Sequence, residues 1–417
     1  MTAGTNVVLL TVDALRADHL SCQGYGRETT PTLDRLAADN LHFREAYSVS
    51  SHTREAVPAL LTGRFPDEAV DDTYRLDAPT IATRLGDRGY ATGAFHSNPF
   101  VSRAYGFEDG FDEFDDDLSM GQYRVVALAQ RLWDKLRDRH YARAPEINSR
   151  SLSWIDSLSE DQPFFLWNHY MDVHGPYQPP GDYRSQFGDG HWDVDPQSLY
   201  KRAIDDPGSI TDTERQALID LYDGEIRYTD YHLCQFLDEL ERRGLYEGTL
   251  IIVTADHGDA FGEHGYYEHP RRLHEELTKV PLIVAGPETG NAKHSGPVST
   301  LDVLPTCLDG ETDEWGVSLT RITDDEEIDG SRTVFASATG EGNETHLQRF
   351  ACWTNVDHCR LTLNRTESTV QSTVGGSTSL KQVLRKFALA RGSDGRQTGN
   401  SESDAIVEDR LEALGYR

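Results

Sequence analysis

The chain has 417 residues, with 40 Lys and Arg against 70 Asp and Glu, for a formal net charge of −30. Apolar residues make up 37% of it, dilute for a globular protein but enough at this length to bury a large core. A uniformly acidic chain lacks the Lys/Arg footprint that polyanions require, which excludes nucleic acid and anionic membrane as electrostatic partners.

The first organised segment is Asn6–Val12, a continuous apolar run that reads as a strand buried on both faces and delivers Asp13. A helix is predicted after Pro31, with Thr32 as its N-cap and Leu33, Leu36 and Ala37 on one face. A short helix closes at Leu60-Leu61-Thr62 with Gly63 as its stop. Thr80–Arg88 reads as a helix and Ala91–His96 as a strand, followed by an Asn98-Pro99 turn. Phe164–Asn168 is another apolar strand, leading into His169 and the segment Asp172–Pro180.

Long helical periodicity runs through residues 211–243, carried by Leu218, Leu221, Ile226, Leu233, Phe236 and Leu240. The strand Thr249–Thr254 then delivers Asp256 and His257, and Val280–Ala285 reads as a further buried strand. This alternation predicts an α/β three-layer sandwich around a mostly parallel central sheet. Past Glu311 the pattern changes to short alternating segments, Thr333–Ala338, Arg349–Trp353 and Arg360–Leu363, which read as antiparallel strands. Residues 365–379 and 392–404, rich in Ser, Thr and Gly, read as loops, and Ala405–Leu414 as a terminal helix. The expected division is a catalytic domain over 1–325 and a smaller C-terminal subdomain over 326–417.

Six lysines supply a small share of the 40 basic residues, a composition that keeps a protein hydrated at high salt, as in halophiles. Five cysteines without CxxC spacing read as small core residues rather than disulfides or thiolate ligands. No stretch approaches the ~18 apolar residues of a membrane span. No basic n-region or signal-like apolar run opens the chain, so the expected location is the cytoplasm. Oligomeric state is left open.

Asp13 and Asp256-His257 each follow a buried strand, and ligands of open parallel sheets bind beyond the carboxyl ends of strands. Carboxylates and an imidazole converging there are a donor set for a divalent cation. A third segment, Ser50-Ser51-His52-Thr53-Arg54-Glu55-Ala56-Val57-Pro58-Ala59-Leu60-Leu61-Thr62-Gly63, completes the pattern. With Val12–Asp18, Asp172–Pro180, Thr254–Gly265, Val280–Ile283 and Leu411–Tyr416, it makes the chain resemble the sulfatase family of the alkaline-phosphatase superfamily.

The resemblance implies a nucleophile ten residues before Gly63, at Thr53. Sulfatases carry Cys or Ser there, followed by Pro and Arg, and oxidise it to formylglycine; this chain has Glu55 and Val57 at those two positions. Oxidation of threonine would give a ketone, so the expected chemistry is instead that of superfamily relatives with a threonine nucleophile. One divalent cation held by Asp13, Asp256, His257 and Thr53 would lower the hydroxyl's pKa, and Thr53 opens a helix whose N-terminus favours an anion. The plainer reading of Thr53 is a helix cap, and Ser50, Ser51 and His52 compete for its role.

The resemblance further implies that His174 protonates the leaving oxygen and that His269, where sulfatases carry a lysine, contacts the substrate oxyanion. Arg54 is placed to clamp a non-bridging oxygen. His96 and Asn98 are candidate pocket residues, His264 either motif or packing, and Glu225, Asp230 and Asp302 structural. Ala14 replaces the family's second carboxylate and His257 its usual asparagine, which moves metal preference from Ca²⁺ towards Mn²⁺ or Zn²⁺. The expected activity is hydrolysis of a small-molecule or glycan phosphate, phosphonate or sulfate ester. The alternatives are transfer of the phospho group to an alcohol, or a non-catalytic relative that binds anionic glycans.

Overall fold

The computed structural model describes residues 4–117, 141–188, 195–287, 289–290, 292–294, 296–310, 315–321 and 332–392. An eight-stranded sheet forms the centre, in the order Lys293–His294, Leu41–Phe43, Leu282–Ala285, Thr249–Ala255, Asn6–Val12, Phe164–Tyr170, Ala91–His96 and Glu113–Asp115. The middle strand, Asn6–Val12, pairs in parallel with Phe164–Tyr170 on one side and Thr249–Ala255 on the other. Val7 to Leu10 are completely buried, as a central parallel strand covered on both faces requires. The predicted Val280–Ala285 strand is Leu282–Ala285, and it runs antiparallel to both its neighbours.

Register decides which side chains share the carboxyl edge. Val12 pairs with both Tyr170 and Ala255, so Asp13 and Asp256 leave the sheet at the same level. His169 sits one rung back, paired with Thr11 and with His96. The Phe164 strand therefore continues past the expected end at Asn168.

The long helix spans Asp212–Arg242, opened by a capping box in which Thr211 Oγ1 accepts from the Glu214 amide and Glu214 accepts from that of Thr211. Buried acids on this helix are structural, as the sequence reading expected. Asp230 accepts from the amides of Thr32 and Leu33, both at 3.0 Å, and so caps a helix at Pro31–Asp39. That corrects the expected Thr32 cap: Thr30 holds the N-cap position but its hydroxyl bonds Ser21 and Asp34 and caps no helix amide, and Thr32 lies inside the first turn. Glu225 faces Arg143, which also holds Asp172 at 2.8 Å. Asp302 accepts from both ends of the Arg332 guanidinium. The Thr80–Arg88 helix is shorter than expected, Ile81–Gly86 with Thr80 as its cap.

After residue 332 the chain forms a four-stranded antiparallel sheet, Val334–Thr339, Leu347–Trp353, His358–Asn364 and Thr369–Gly375. The last strand overturns the loop expected over 365–379. Its Thr-Val-Gln-Ser-Thr-Val run is mostly exposed because it lies at an edge, so it lacks an apolar alternation but keeps β-branched residues. A helix over Thr378–Arg391, absent from the sequence reading, packs Leu380, Leu384, Phe387 and Ala388 against this sheet. The same apolar cluster includes Val49, Ala59, Phe65 and Leu301, so the sheet is welded to the helix that begins at Thr53. The expected terminal helix Ala405–Leu414 lies outside the described residues.

Cys307, Cys352 and Cys359 are buried as expected, whereas Cys22 and Cys234 are half-exposed and so are not core residues. Among the described residues no helix is long and apolar enough to cross a membrane.

Candidate active site

Thr53 is the first residue of a helix over Thr53–Thr62, stopped by Gly63 in the left-handed conformation. The cap is His52, whose Nδ1 accepts from the Arg54 amide at 3.2 Å, so the Thr53 hydroxyl is not used as a cap. It lies instead 3.1 Å from His257 Nε2. His257 Nδ1 donates to the Gly258 carbonyl at 2.9 Å, which leaves Nε2 as the nitrogen with a lone pair.

Asp13 and Asp256 flank this pair. Asn98 Nδ2 donates to Asp13 Oδ2 at 2.6 Å, and His169 Nε2 reaches the same oxygen at 3.2 Å. His169 is held by Thr11 Oγ1 at 2.8 Å, and that hydroxyl accepts from Trp167 Nε1 at 2.9 Å. An indole can only donate, so the chain runs from Trp167 through Thr11 and His169 to Asp13. On the other side, Asp256 Oδ1 accepts from the amides of His257 at 2.9 Å and Ala14 at 3.3 Å. Ala14 has φ +59°, a left-handed conformation rare for a residue with a Cβ, and this turn aims its N–H at Asp256.

The remaining oxygens, Asp13 Oδ1 and Asp256 Oδ2, are buried without a hydrogen-bond partner among the described residues. His257 Nε2 is 3.6 Å from the first and 3.5 Å from the second. Two bare carboxylate oxygens, an imidazole lone pair and a hydroxyl thus converge, and this donor set fits a divalent ion. The electrostatics agree. Burial would raise the Asp13 carboxyl, but the His169 bond and the imidazoles of His174 and His257 hold it well below the usual carboxylate range. Burial and the nearby Asp13 charge push Asp256 up. Burial opposes charge on His257, yet Asp256 and Asp13 outweigh it and raise its pKa. A cation relieves this repulsion between buried acids.

His269 stacks on His257 with ring centres 4.5 Å apart and meets His174 at 5.0 Å. Burial, with the neighbouring His257 imidazole, pushes His269 down to about 4, so it is neutral near pH 7. Its Nδ1 lies 3.4 Å from Asp259 Oδ1. His174 Nδ1 donates to the Gly175 carbonyl at 2.6 Å. Arg54 turns to the aromatic side of the site, its guanidinium 4.3 Å from the Phe100 ring centre and 3.4 Å from Tyr105 Oη.

Thr53, Asp13, Asp256 and His257 therefore come together, with His174 and His269 against them and Arg54 beside them. The expectation that the helix N-terminus favours an anion narrows, because the amides of Glu55 and Ala56 are bonded to the His52 carbonyl. What that terminus offers an anion is chiefly its dipole. His169 was missed, along with Asp259; Asn98 was read only as a pocket residue, and its role is to hold Asp13. His264 lies outside this group, at the surface, beside Glu276.

The sulfatase family model matches residues 5–310. An uncharacterized sulfatase YidJ of Escherichia coli is 24% identical over 339 residues, 73% of this chain and 67% of that protein. A low-salt glycan biosynthesis sulfotransferase Agl7 of Haloferax volcanii is 24% identical over 308 residues, 73% of this chain and 60% of its own length. The crystal structure of a phosphonate monoester hydrolase of Agrobacterium radiobacter superposes with a TM-score of 0.69 at 17% identity, covering 92% of this chain and 94% of that one. The match over residues 5–310 shows that the chain belongs to the sulfatase family, a family of ester hydrolases.

Proposed function

We propose that this protein hydrolyses a sulfate, phosphate or phosphonate ester with Thr53 as the nucleophile. The observation that carries the reading is the 3.1 Å approach of Thr53 Oγ1 to His257 Nε2, beside the two bare carboxylate oxygens. A divalent ion, with Mn²⁺ or Zn²⁺ better suited than Ca²⁺ to a set containing nitrogen, would be held by Asp13, Asp256, His257 and Thr53 and would supply positive charge that makes the hydroxyl acidic.

Thr53 Oγ1 loses its proton to solvent water and forms a bond to phosphorus or sulfur as the bond to the leaving oxygen breaks. His174 in its doubly protonated form gives that oxygen a proton from Nε2, since Nδ1 is engaged by Gly175. Neutral His269, held by Asp259, donates a hydrogen bond to a non-bridging oxygen from its other nitrogen. Arg54 lies beside the nucleophile on its aromatic shelf and orients the anionic group. Water then cleaves the Thr53 ester and restores the hydroxyl. Transfer to an alcohol uses the same first half, and the sulfotransferase name of the Haloferax volcanii relative favours keeping it as the second reading.

The test is a panel of p-nitrophenyl sulfate, phosphate and phenylphosphonate and bis-p-nitrophenyl phosphate, with added Mn²⁺, Zn²⁺ or Ca²⁺. Metal-dependent turnover that falls at least about 10³-fold in Thr53→Ala and survives in Thr53→Ser is expected. Unchanged turnover in Thr53→Ala overturns the nucleophile assignment.

A further inference from the structure

A second cluster of metal-type side chains lies outside the site just described. His264 Nε2 is 3.0 Å from Glu276 Oε1, and His274 Nδ1 is 3.8 Å from the same oxygen. The two imidazoles stack with centres 3.7 Å apart, and Tyr266 Oη lies against His274 and 3.4 Å from Glu276 Oε1. One ligand atom from each of His264, His274 and Glu276 falls within 4.8 Å of the others. Bonds of about 2.0–2.2 Å need donors somewhat closer than that. His264 can supply the movement, because its side chain is 42% exposed.

We propose that His264, His274 and Glu276 form a second, solvent-facing site for a transition-metal ion of the zinc type. Two of the three donors are imidazole nitrogens, which select Zn²⁺, Ni²⁺ or Cu²⁺ over Ca²⁺ or Mg²⁺. Three protein ligands leave an outer position to water. The ligands come from two segments that meet only in the fold, the turn at 262–266 and the start of the short helix Glu275–Thr278, whose N-cap is His274. An ion here pins these segments together. The effect reaches inward, because the Leu277 carbonyl accepts from the Gly258 amide at 2.9 Å and the Gly258 carbonyl accepts from His257 Nδ1. The outer ion thus braces the loop that orients His257 without touching the reacting atoms.

Zinc content of the full chain is measured after equilibrium dialysis against ZnCl₂, for wild type, His264→Ala, Glu276→Gln, Asp13→Asn and the Asp13→Asn/His264→Ala double variant. Loss of one equivalent in His264→Ala and Glu276→Gln, with another retained, is expected. Asp13→Asn should keep the equivalent that the double variant loses. Thermal melting provides a second readout, with a zinc-dependent rise in wild type that shrinks in His264→Ala. Equal zinc content in wild type, His264→Ala and Glu276→Gln overturns the proposal, whatever the inner site does.

Discussion

Arg271 Nη1 lies 2.9 Å from Glu55 Oε1, and both side chains are buried. This pair ties the first turn of the Thr53 helix to the segment that carries His269, and Glu55 Oε2 also accepts from Ser50 at 2.6 Å. Counted back from Gly63 as the family resemblance implies, Glu55 stands where sulfatases have proline, and an ion pair takes the place of a rigid residue. Removing one partner leaves the other charge buried. Glu55→Ala is expected to lose about 3–5 kcal/mol of stability in denaturant titration, and the family-like Glu55→Pro to be no better.

His169 and Asn98 hold one oxygen of Asp13 and leave the other bare. Partners that orient a metal-binding carboxylate typically contribute 10–100-fold in affinity. His169→Ala and Asn98→Ala should therefore raise the Mn²⁺ or Zn²⁺ concentration needed for half-maximal turnover by about that factor, with activity recovering at saturation. Chelation with EDTA should abolish turnover in the wild type, and a metal titration reads both effects.

Gly258 has no room for a methyl group. A Cβ there would stand 2.1 Å from the Glu276 carbonyl oxygen, and backbone cannot yield as a flexible side chain does. Gly258→Ala is expected to cost about 1–3 kcal/mol and to displace the carbonyl that fixes the His257 tautomer. The matching result is a lower melting temperature together with a fall in kcat larger than the change in KM.

His42 lies in the sheet between Ile283 and Lys293, and burial with the charges of Arg44 and Lys293 pushes it down to about 4 from 6.5. Between those values the unfolded chain binds a proton that the folded chain refuses, so stability rises with pH across this window. The contribution is complete above pH 6.5 and is lost as pH falls to 4, by up to about 3 kcal/mol. Denaturant titrations from pH 7 to pH 4 should show a steeper loss in the wild type than in His42→Gln.

The chemistry-bearing residues that follow apolar strands were legible because strand and residue occur together: Val7–Val12 announces Asp13, and Leu250–Thr254 announces Asp256 and His257. His169 escaped because it lies within a strand whose last two residues, His169 and Tyr170, are polar enough to read as a loop. Its role depends on register, which local pattern does not carry. The C-terminal edge strand escaped for a related reason, since one partner and an open face place no demand for apolar side chains. The Thr378–Arg391 helix did carry a spacing, Leu380, Leu384, Phe387 and Ala388, that went unread between Ser- and Gly-rich flanks. Capping by Asp230 instead of by Thr30 was likewise beyond local reading, because the carboxylate comes from nearly 200 positions away.

The antiparallel sheet leans on the very helix that starts with Thr53: the Ser337 amide bonds the Val49 carbonyl at 2.8 Å, and Ala59 and Phe65 share a cluster with Phe387. During synthesis, the Thr53 helix leaves the ribosome early and its support late. Because chains grow at roughly 5–20 residues per second, some 330 positions represent tens of seconds of waiting. Throughout that interval Val57, Leu60 and Leu61 can already pack in the main core, whereas Ala59 and its neighbour Phe65 wait for the cover that Phe387 brings.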